Sequence, residues 1–173
     1  MTVKMIKNLF FKNGSKAKLL WMLMLGCVLG FSLTSCASKD EGEDSETYET
    51  RQYIIGIGKW STQEVKLPDG TWTSDSRTYG KDFVLEFFDK KSGESDRRFK
   101  SWEYIPKSTG SYEADEVLYE GVYVVNKKTI TCTVNGKKYL QFLVTSMADR
   151  GLVGNVTFFN DNKSFDVRMQ RTW

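Results

Sequence analysis

Short segments in which apolar and polar residues alternate follow one another from residue 58 to residue 171, and this pattern constrains the fold most. The segments are residues 58–65, 82–88, 99–105, 117–125, 129–134, 138–146, 152–159 and 164–171. Alternation with a period of two places apolar side chains on one face of a β-strand. Asn135-Gly136, between two of the segments, is a strong hairpin signal because both central residues of a type I′ turn need a positive φ. The pattern therefore predicts about eight antiparallel strands in up-and-down order.

Eight antiparallel strands in a chain of this length form either a closed barrel or a two-sheet sandwich. Only short connections separate the segments, whereas a sandwich more often needs a long crossing connection. Closure also removes the exposed edges that promote aggregation. We therefore expect an all-β, up-and-down barrel over residues 53–173, and no stretch of helical periodicity long enough to matter.

The segment before residue 36 has the zones of an export signal. Residues 1–18 contain five lysines and no acidic residue, and residues 19–31 form a nearly continuous apolar run of about 13 residues. This run is shorter than the roughly 20 residues that a membrane-spanning helix needs. Residues 1–35 are therefore predicted to be a cleaved signal peptide and not a permanent membrane span.

Leu33, Thr34, Ser35 and Cys36 follow this signal, and together they resemble the lipobox of bacterial lipoproteins. The resemblance implies cleavage before Cys36 and lipidation of its sulfur. Each buried methylene contributes about 0.8 kcal/mol, so that more than one acyl chain gives stable anchoring. The alternative is an ordinary secretory signal in which Cys36 is incidental.

Residues 36–52 contain six acidic residues among serines and a glycine, a composition that predicts a solvated, flexible tether. The tether is either a simple spacer or a sorting signal. Lys39, Asp40 and Glu41 resemble the short acidic export signal of surface lipoproteins in Bacteroidetes. That resemblance implies a location on the outer membrane, lipid-anchored and facing the cell surface.

Composition excludes several functions. The chain has no histidine, which removes histidine-based catalysis and histidine metal sites. Cleavage before Cys36 would remove five lysines and lower the formal net charge from +3 to −2, so nucleic acid is not an expected partner. Cys27 would leave with the signal and Cys36 would carry lipid, leaving Cys132 as a single thiol without a disulfide partner. No catalytic site, metal site or cofactor is predicted, and an enzyme is not expected.

Gly58, Lys59 and Trp60 form the Gly-x-Trp pattern that opens the lipocalin barrel. With the Asp69–Trp72 turn and the later hairpins, the chain resembles the lipocalin-like lipoproteins of Bacteroidetes over about residues 53–172. The resemblance implies that Trp60 closes the floor of the barrel, and that Arg171, on the last strand, packs over its ring by a cation–π contact. These roles of Gly58, Trp60 and Arg171 would be structural.

Period 2 also predicts which side chains face the barrel interior. The candidates for lining a ligand cavity are Glu64, Phe83, Leu85, Phe87, Tyr119, Tyr123 and Cys132. An eight-stranded barrel is just wide enough either to be filled by its own side chains or to hold one small ligand. Both interpretations of these residues stay open.

Two classes of function follow. The leading hypothesis is a lipid-anchored barrel that binds a small apolar or amphipathic ligand; an apolar cavity above about 300 Å³ would favour it. The alternative is a non-catalytic interaction module, a filled barrel whose loops 89–96 and 147–151 contact a protein or a glycan.

Individual residues add two further hypotheses. Trp102 and Tyr104 share one strand face and either stack on a sugar or an apolar ligand or pack under a loop. Glu64, Glu86 and Glu103 would have to lie close together to form a carboxylate pair of the glycosidase kind, and such catalysis is not expected.

Overall fold

A computed structural model describes residues 40–56, 58–108 and 113–172. The predicted signal peptide, the lipidation site Cys36 and Lys39 of the acidic motif lie outside the described residues. Among the residues described, no helix is both long enough and apolar enough to span a membrane.

The described residues form a closed antiparallel barrel of eight strands with one short additional strand, which confirms the predicted fold class. The strands are β1 Lys59–Lys66, β2 Trp72–Thr73, β3 Asp82–Phe88, β4 Arg97–Pro106, β5 Ala114–Asn126, β6 Thr129–Val134, β7 Lys137–Ala148, β8 Gly151–Phe158 and β9 Lys163–Thr172. From β3 to β9 each strand pairs with the next, and β1 pairs with both β3 and β9. The short β2 pairs only with the end of β1. The β1–β9 pairing closes the barrel and covers the edge that each of these strands would otherwise expose.

A β-bulge in β1 corrects one of the predicted inward positions. The register between β1 and β9 shifts between Thr62 and Glu64, which leaves Gln63 as an extra residue. Val65 is therefore fully buried, while Glu64 accepts a hydrogen bond of 2.7 Å from Arg168 Nη1 on the outer surface. The prediction that Glu64 lines the interior was wrong because strict period 2 does not allow for a bulge.

A second bulge brings Tyr139 into the interior. Cys132 pairs with Leu140 and Thr133 pairs with Lys138, so Tyr139 has no partner on β6. Both Tyr139 and Leu140 are buried. The bulge thus points two consecutive side chains of β7 into the barrel, where simple alternation would point one of them outward.

The described residues include two helices, α1 Ser45–Gly56 and α2 Ser76–Tyr79, where the sequence showed no helical periodicity long enough to matter. Helix α1 lies where the flexible tether was predicted, and the boundary at residue 53 falls inside it. Three of its four buried residues, Thr47, Thr50 and Arg51, are polar and only Ile54 is apolar, so the sequence shows no apolar stripe. The helix is held by hydrogen bonds together with the packing of Tyr53, Ile54 and Ile55 against the core, and hydrophobic periodicity does not reveal those hydrogen bonds.

These hydrogen bonds place α1 across one end of the barrel, here called the closed end. The Lys127 backbone N–H, in the β5–β6 turn, donates to Thr47 Oγ1 at 2.7 Å. Trp60 Nε1 donates to the Ile54 carbonyl at 3.1 Å, and the Tyr53 hydroxyl donates to the Gly151 carbonyl at 3.1 Å. The helix therefore contacts the first residues of β1 and β8 as well as the β5–β6 turn.

Residues 40–44, here called the strap, extend this closure by ion pairs. Arg51, only 1 % exposed, donates to both carboxylate oxygens of Glu43, at 2.9 and 2.6 Å. Asp40 pairs with Arg97 at 2.8 Å and with Lys90 at 3.2 Å. The hydrogen bond from Arg51 holds the pKa of Glu43 below its ordinary value, and Arg97 lowers the pKa of Asp40 in the same way. Both carboxylates thus attach the strap to charged groups of α1 and the barrel.

The interior is a single apolar core. The Phe83 ring meets the Phe158 ring edge-on at 5.0 Å between centroids, and Phe87 meets Tyr123 at the same distance. Trp60 is fully buried near the closed end, with the Tyr53 ring stacked on it at 5.6 Å. The core therefore runs from α1 through the length of the barrel.

We predict that Trp60→Ala lowers the free energy of unfolding by about 3 to 5 kcal/mol, as for the truncation of other large buried aromatics. The loss combines the ring volume, the contact with Tyr53 and the hydrogen bond to Ile54. Denaturant unfolding of residues 37–173 would measure it. The control is Tyr79→Ala, which truncates an aromatic ring that is 54 % exposed and is expected to cost about 0.5 kcal/mol or less. Equal losses for the two variants would contradict the central position of Trp60.

A second prediction concerns how the stability of the protein changes as the pH falls. Because the folded-state pKa of Glu43 is lowered, its contribution to stability is complete above its unfolded pKa of about 4.3 and is lost as the pH falls through the folded value. Glu43→Gln should cost about 3 kcal/mol at pH 7, since it removes the charged partner that accepts two hydrogen bonds from the buried Arg51, while Asp89 remains 3.7 Å away. The difference from the parent protein should shrink in unfolding curves recorded from pH 5 to pH 2. The exposed Glu41→Gln is the matched control, and a pH-independent difference for Glu43→Gln would contradict the assignment.

Candidate functional site

The predicted cavity-lining residues lie mostly within the packed core. Phe83, Leu85 and Cys132 are fully buried, and Phe87 and Tyr123 are each 3 % exposed. Burial also raises the pKa of the Cys132 thiol well above its ordinary value, so the thiol stays protonated. These side chains pack against one another in one cluster. Tyr119 is partly buried at the margin of this cluster, and Glu64 lies outside it.

A polar cluster is built into the same interior. Glu103, 3 % exposed, projects inward from β4; Tyr139 donates a hydrogen bond to one of its oxygens, and Lys81 donates to the other at 2.5 Å. Ser101 Oγ lies 3.0 Å from the Tyr139 hydroxyl. Lys81 also pairs with the more exposed Asp161 at 3.0 Å. Both oxygens of the buried carboxylate are therefore satisfied, as expected for a structural ion pair.

The phenol of Tyr139 completes this arrangement. Burial raises the pKa of Tyr139 far above its ordinary value, and the neighbouring Glu103 raises it further. Tyr139 therefore remains protonated and can donate to the carboxylate. Sequence reasoning missed both Tyr139 and Lys81, because Tyr139 faces inward only through the bulge in β7 and Lys81 precedes β3.

The three glutamates considered as a glycosidase pair do not share a site. Glu103 points into the barrel, whereas Glu64 is bonded to Arg168 outside it. Glu86, which alternates with the buried Leu85 and Phe87, lies on the outer face between Lys59 and Lys100. Within the described residues, no group of three or more cysteine, aspartate or glutamate side chains is positioned to hold a metal ion.

The barrel-floor motif is distributed over two strands and the helix. Gly58 has a φ of +90°, a left-handed conformation that favours glycine at the start of β1. Trp60 and Arg171 are direct partners in the β1–β9 ladder, and Arg171 is half-buried. The ring observed to stack on Trp60 is that of Tyr53, a residue of α1 that the sequence analysis did not select. The cation–π contact of Arg171 with Trp60 stays a prediction.

A groove of about 1020 Å³ lies on the outside of the barrel. We call it the outer groove. Loop 89–96, one of the two loops expected to contact a partner, forms one wall of the groove. The other loop, 147–151, lies at the closed end and does not line the groove. Among the strand residues that line the outer groove are Lys59, Glu86, Phe88, Lys100, Trp102 and Glu120.

Strand register arranges the outer face beneath the groove in three cross-strand rows. The rows are Val84, Trp102 and Leu118; Glu86, Lys100 and Glu120; and Phe88, Arg98 and Val122. The middle row is charged, and each flanking row contains one aromatic ring. Residues two apart on a strand are separated by roughly 7 Å, so the rows that contain Trp102 and Phe88 lie roughly 14 Å apart along the backbone.

An ion pair and a cation–π contact already engage part of the groove lining. Lys100 pairs with Glu120 at 2.8 Å, and Lys59 Nζ lies 4.5 Å from the centre of the Trp102 ring. Trp102 is half-buried, while Phe88 is 36 % exposed. The lining contains five acidic and four basic side chains, so its charges nearly balance. Such a lining suits a ligand that is polar and close to neutral.

A second depression, of about 450 Å³, lies at the closed end between the strap, Arg97 and the last residues of β5. The buried hydroxyl of Tyr123 borders it and has no hydrogen-bond partner among the described residues. Its charged groups largely neutralise one another through the strap. We therefore regard this depression as part of the closure of the barrel and the outer groove as the candidate functional site.

Comparison with known proteins adds no family. No protein-family model matches the chain, and neither a curated protein nor a solved structure matches it.

Proposed function

We propose that the chain is a lipid-anchored, lipocalin-like binding module that holds its ligand in the outer groove. The observation that carries this proposal is the pair of aromatic rings, Trp102 and Phe88, on either side of a charged row in a groove of about 1020 Å³. The packing of Phe83, Leu85 and Phe87 against their neighbours in the core favours this outer site over cargo carried inside the barrel.

The chemistry of the groove favours a neutral oligosaccharide. Aromatic faces pack well against the C–H faces of sugar rings, and the separation of Trp102 and Phe88 suits a ligand of several units. Carboxylates such as Glu86 accept hydrogen bonds from hydroxyl groups, and lysine ammonium groups donate to them. Balanced charge provides no strong field that would select an ion.

An amphipathic ligand inside the barrel is the second candidate. Ile105 is in phase with the buried Ser101 and Glu103 on β4, yet it is 47 % exposed. It lies at the end of the barrel opposite α1, the far end, close to the half-buried Val117 and Tyr119. This apolar rim leads towards the charged Glu103 cluster and is the observation that favours an interior ligand.

The proposed activity is binding without catalysis. Glu103 lies inside the barrel, whereas Glu64 and Glu86 lie on its outer face. Glu86 pairs with Lys59 at the start of β1 and Glu64 lies five residues further along that strand, so these glutamates do not form the close carboxylate pair that glycosidase chemistry needs. The proposal includes anchoring at Cys36, which the resemblance of residues 33–36 to a lipobox supports. It also includes a location on the outer membrane facing the cell surface, which the resemblance of residues 39–41 to an acidic export signal supports.

We predict that Trp102→Ala weakens oligosaccharide binding by about 30-fold, because a central tryptophan commonly contributes 2 kcal/mol or more. Residues 37–173 would first be screened on an array of neutral oligosaccharides, and calorimetry would then compare variants on the strongest ligand. Trp72→Ala is the matched control, since Trp72 is also half-buried but lies on β2, outside the groove. Equal effects of the two substitutions would argue against the groove, and a co-purified apolar molecule would favour the interior site.

For the anchor, we predict that Cys36→Ala transfers the protein from the membrane fraction to the soluble fraction, because it removes the only sulfur that the lipobox presents. Cys27→Ala is the control, since that residue lies in the apolar run of the signal, and it should leave the protein in membranes. Fractionation followed by immunodetection distinguishes the two. Retention of the Cys36 variant in the membrane fraction would contradict the lipid anchor.

A further inference from the structure

We infer that the closed end of the barrel rests against the bilayer surface, with the far end pointing into solution. The inference builds on the proposed lipid anchor at Cys36 and adds an orientation to it. Its partner is a lipid surface, and the docking face comprises the strap, loop 89–96 and the β5–β6 turn.

The strap fixes the point at which the barrel meets its anchor. Asp40 pairs with Lys90 and Arg97, residues that are 50 and 57 positions further along the chain. Its backbone N–H also donates to Glu43 Oε2 at 3.2 Å, and the Glu43 N–H donates to the Asp40 carbonyl at 3.0 Å. Because Glu43 is itself bonded to the buried Arg51, position 40 is part of the folded domain.

Chain length then limits where the lipid can lie. Cys36 precedes Asp40 by four residues, and an extended chain spans at most about 3.6 Å per residue, so the two Cα atoms are within roughly 14 Å. A ten-residue strand tilted by about 40° rises roughly 25 Å along a barrel. The anchor can therefore reach the membrane from the closed end, whereas the far end lies beyond its reach.

Charge on the closed end indicates that this contact depends on tethering and not on attraction to anionic lipid. Lys90 and Arg97 pair with Asp40, and Lys128 lies 3.8 Å from Glu46. These three basic residues thus have acidic neighbours. The strap and loop 89–96 together contain seven acidic residues and two lysines, so little positive field is left for phosphate headgroups. The orientation should be the same on neutral and on anionic bilayers.

Short-range fluorescence quenching tests the orientation. The full lipidated chain is reconstituted into phosphatidylcholine vesicles with spin-labelled headgroups, and one fluorophore is attached through Lys128→Cys at the closed end or Asn160→Cys at the far end. Cys132 is fully buried and Cys36 would be acylated, so neither should react with the label. We expect at least three-fold stronger quenching at position 128. Equal quenching, or stronger quenching at position 160, would overturn the inference.

Variants of the strap provide the second arm. The double variant Asp40→Asn, Glu43→Gln should release the strap, lengthen the tether and reduce the difference between the two labels; Glu41→Gln, which alters an exposed residue of the same strap, should not. Because the double variant loses buried contacts, an insertion of eight Gly/Ser residues between Ser38 and Lys39 is a version that leaves the domain intact. An undiminished difference after that insertion would overturn the role of the short tether.

Different results of this experiment contradict the lipid anchor and the orientation. Protein that does not sediment with the vesicles would contradict the lipid anchor itself. Protein that sediments but shows no difference between positions 128 and 160 would contradict only the orientation.

Discussion

The pairing of β1 with β9 is the constraint on which the rest of the structure depends. It joins residues more than 100 positions apart, such as Lys59 and Thr172, and this long-range ladder turns a meander into a barrel. Closure gives the sheet two different surfaces, an interior lined by the buried core side chains and an outer face open to solvent. Trp60 lies within this ladder, and its hydrogen bond to the Ile54 carbonyl links the ladder to helix α1.

The strands could be predicted because alternation is a local property of the sequence. The face of the sheet on which some side chains lie could not be predicted in this way. Phe83, Leu85 and Phe87 keep the period through β3 and are buried. In β1 the extra residue Gln63 reverses the phase, so Glu64 faces solvent, and in β7 the unpaired Tyr139 turns inward. The position of a bulge depends on how two strands pair, so it cannot be predicted from the sequence of one strand alone. The buried Glu103 cluster depends on such a bulge and was consequently invisible in the sequence.

Helix α1 and the strap show the limit of hydrophobic patterning. Thr47, Thr50 and Arg51 are buried, and a segment rich in acidic residues normally signals solvated chain. Here the acidic side chains find basic partners on the barrel: Asp40 meets Arg97, and Glu43 meets Arg51. Those partners come from distant positions or from a helix without an apolar stripe. Charge complementarity of this kind becomes apparent only when the fold has brought the partners together.

The outer site and the short lipid anchor that we propose have a joint consequence for binding. The outer groove begins at loop 89–96, next to the closed end. A bilayer against that end would approach one end of the groove but leave the row of Val84, Trp102 and Leu118 accessible from the side. A long polymer could then lie along the barrel wall, where its ends need not pass through a mouth. This geometry favours extended ligands over small enclosed ones and is consistent with a polar, nearly neutral lining.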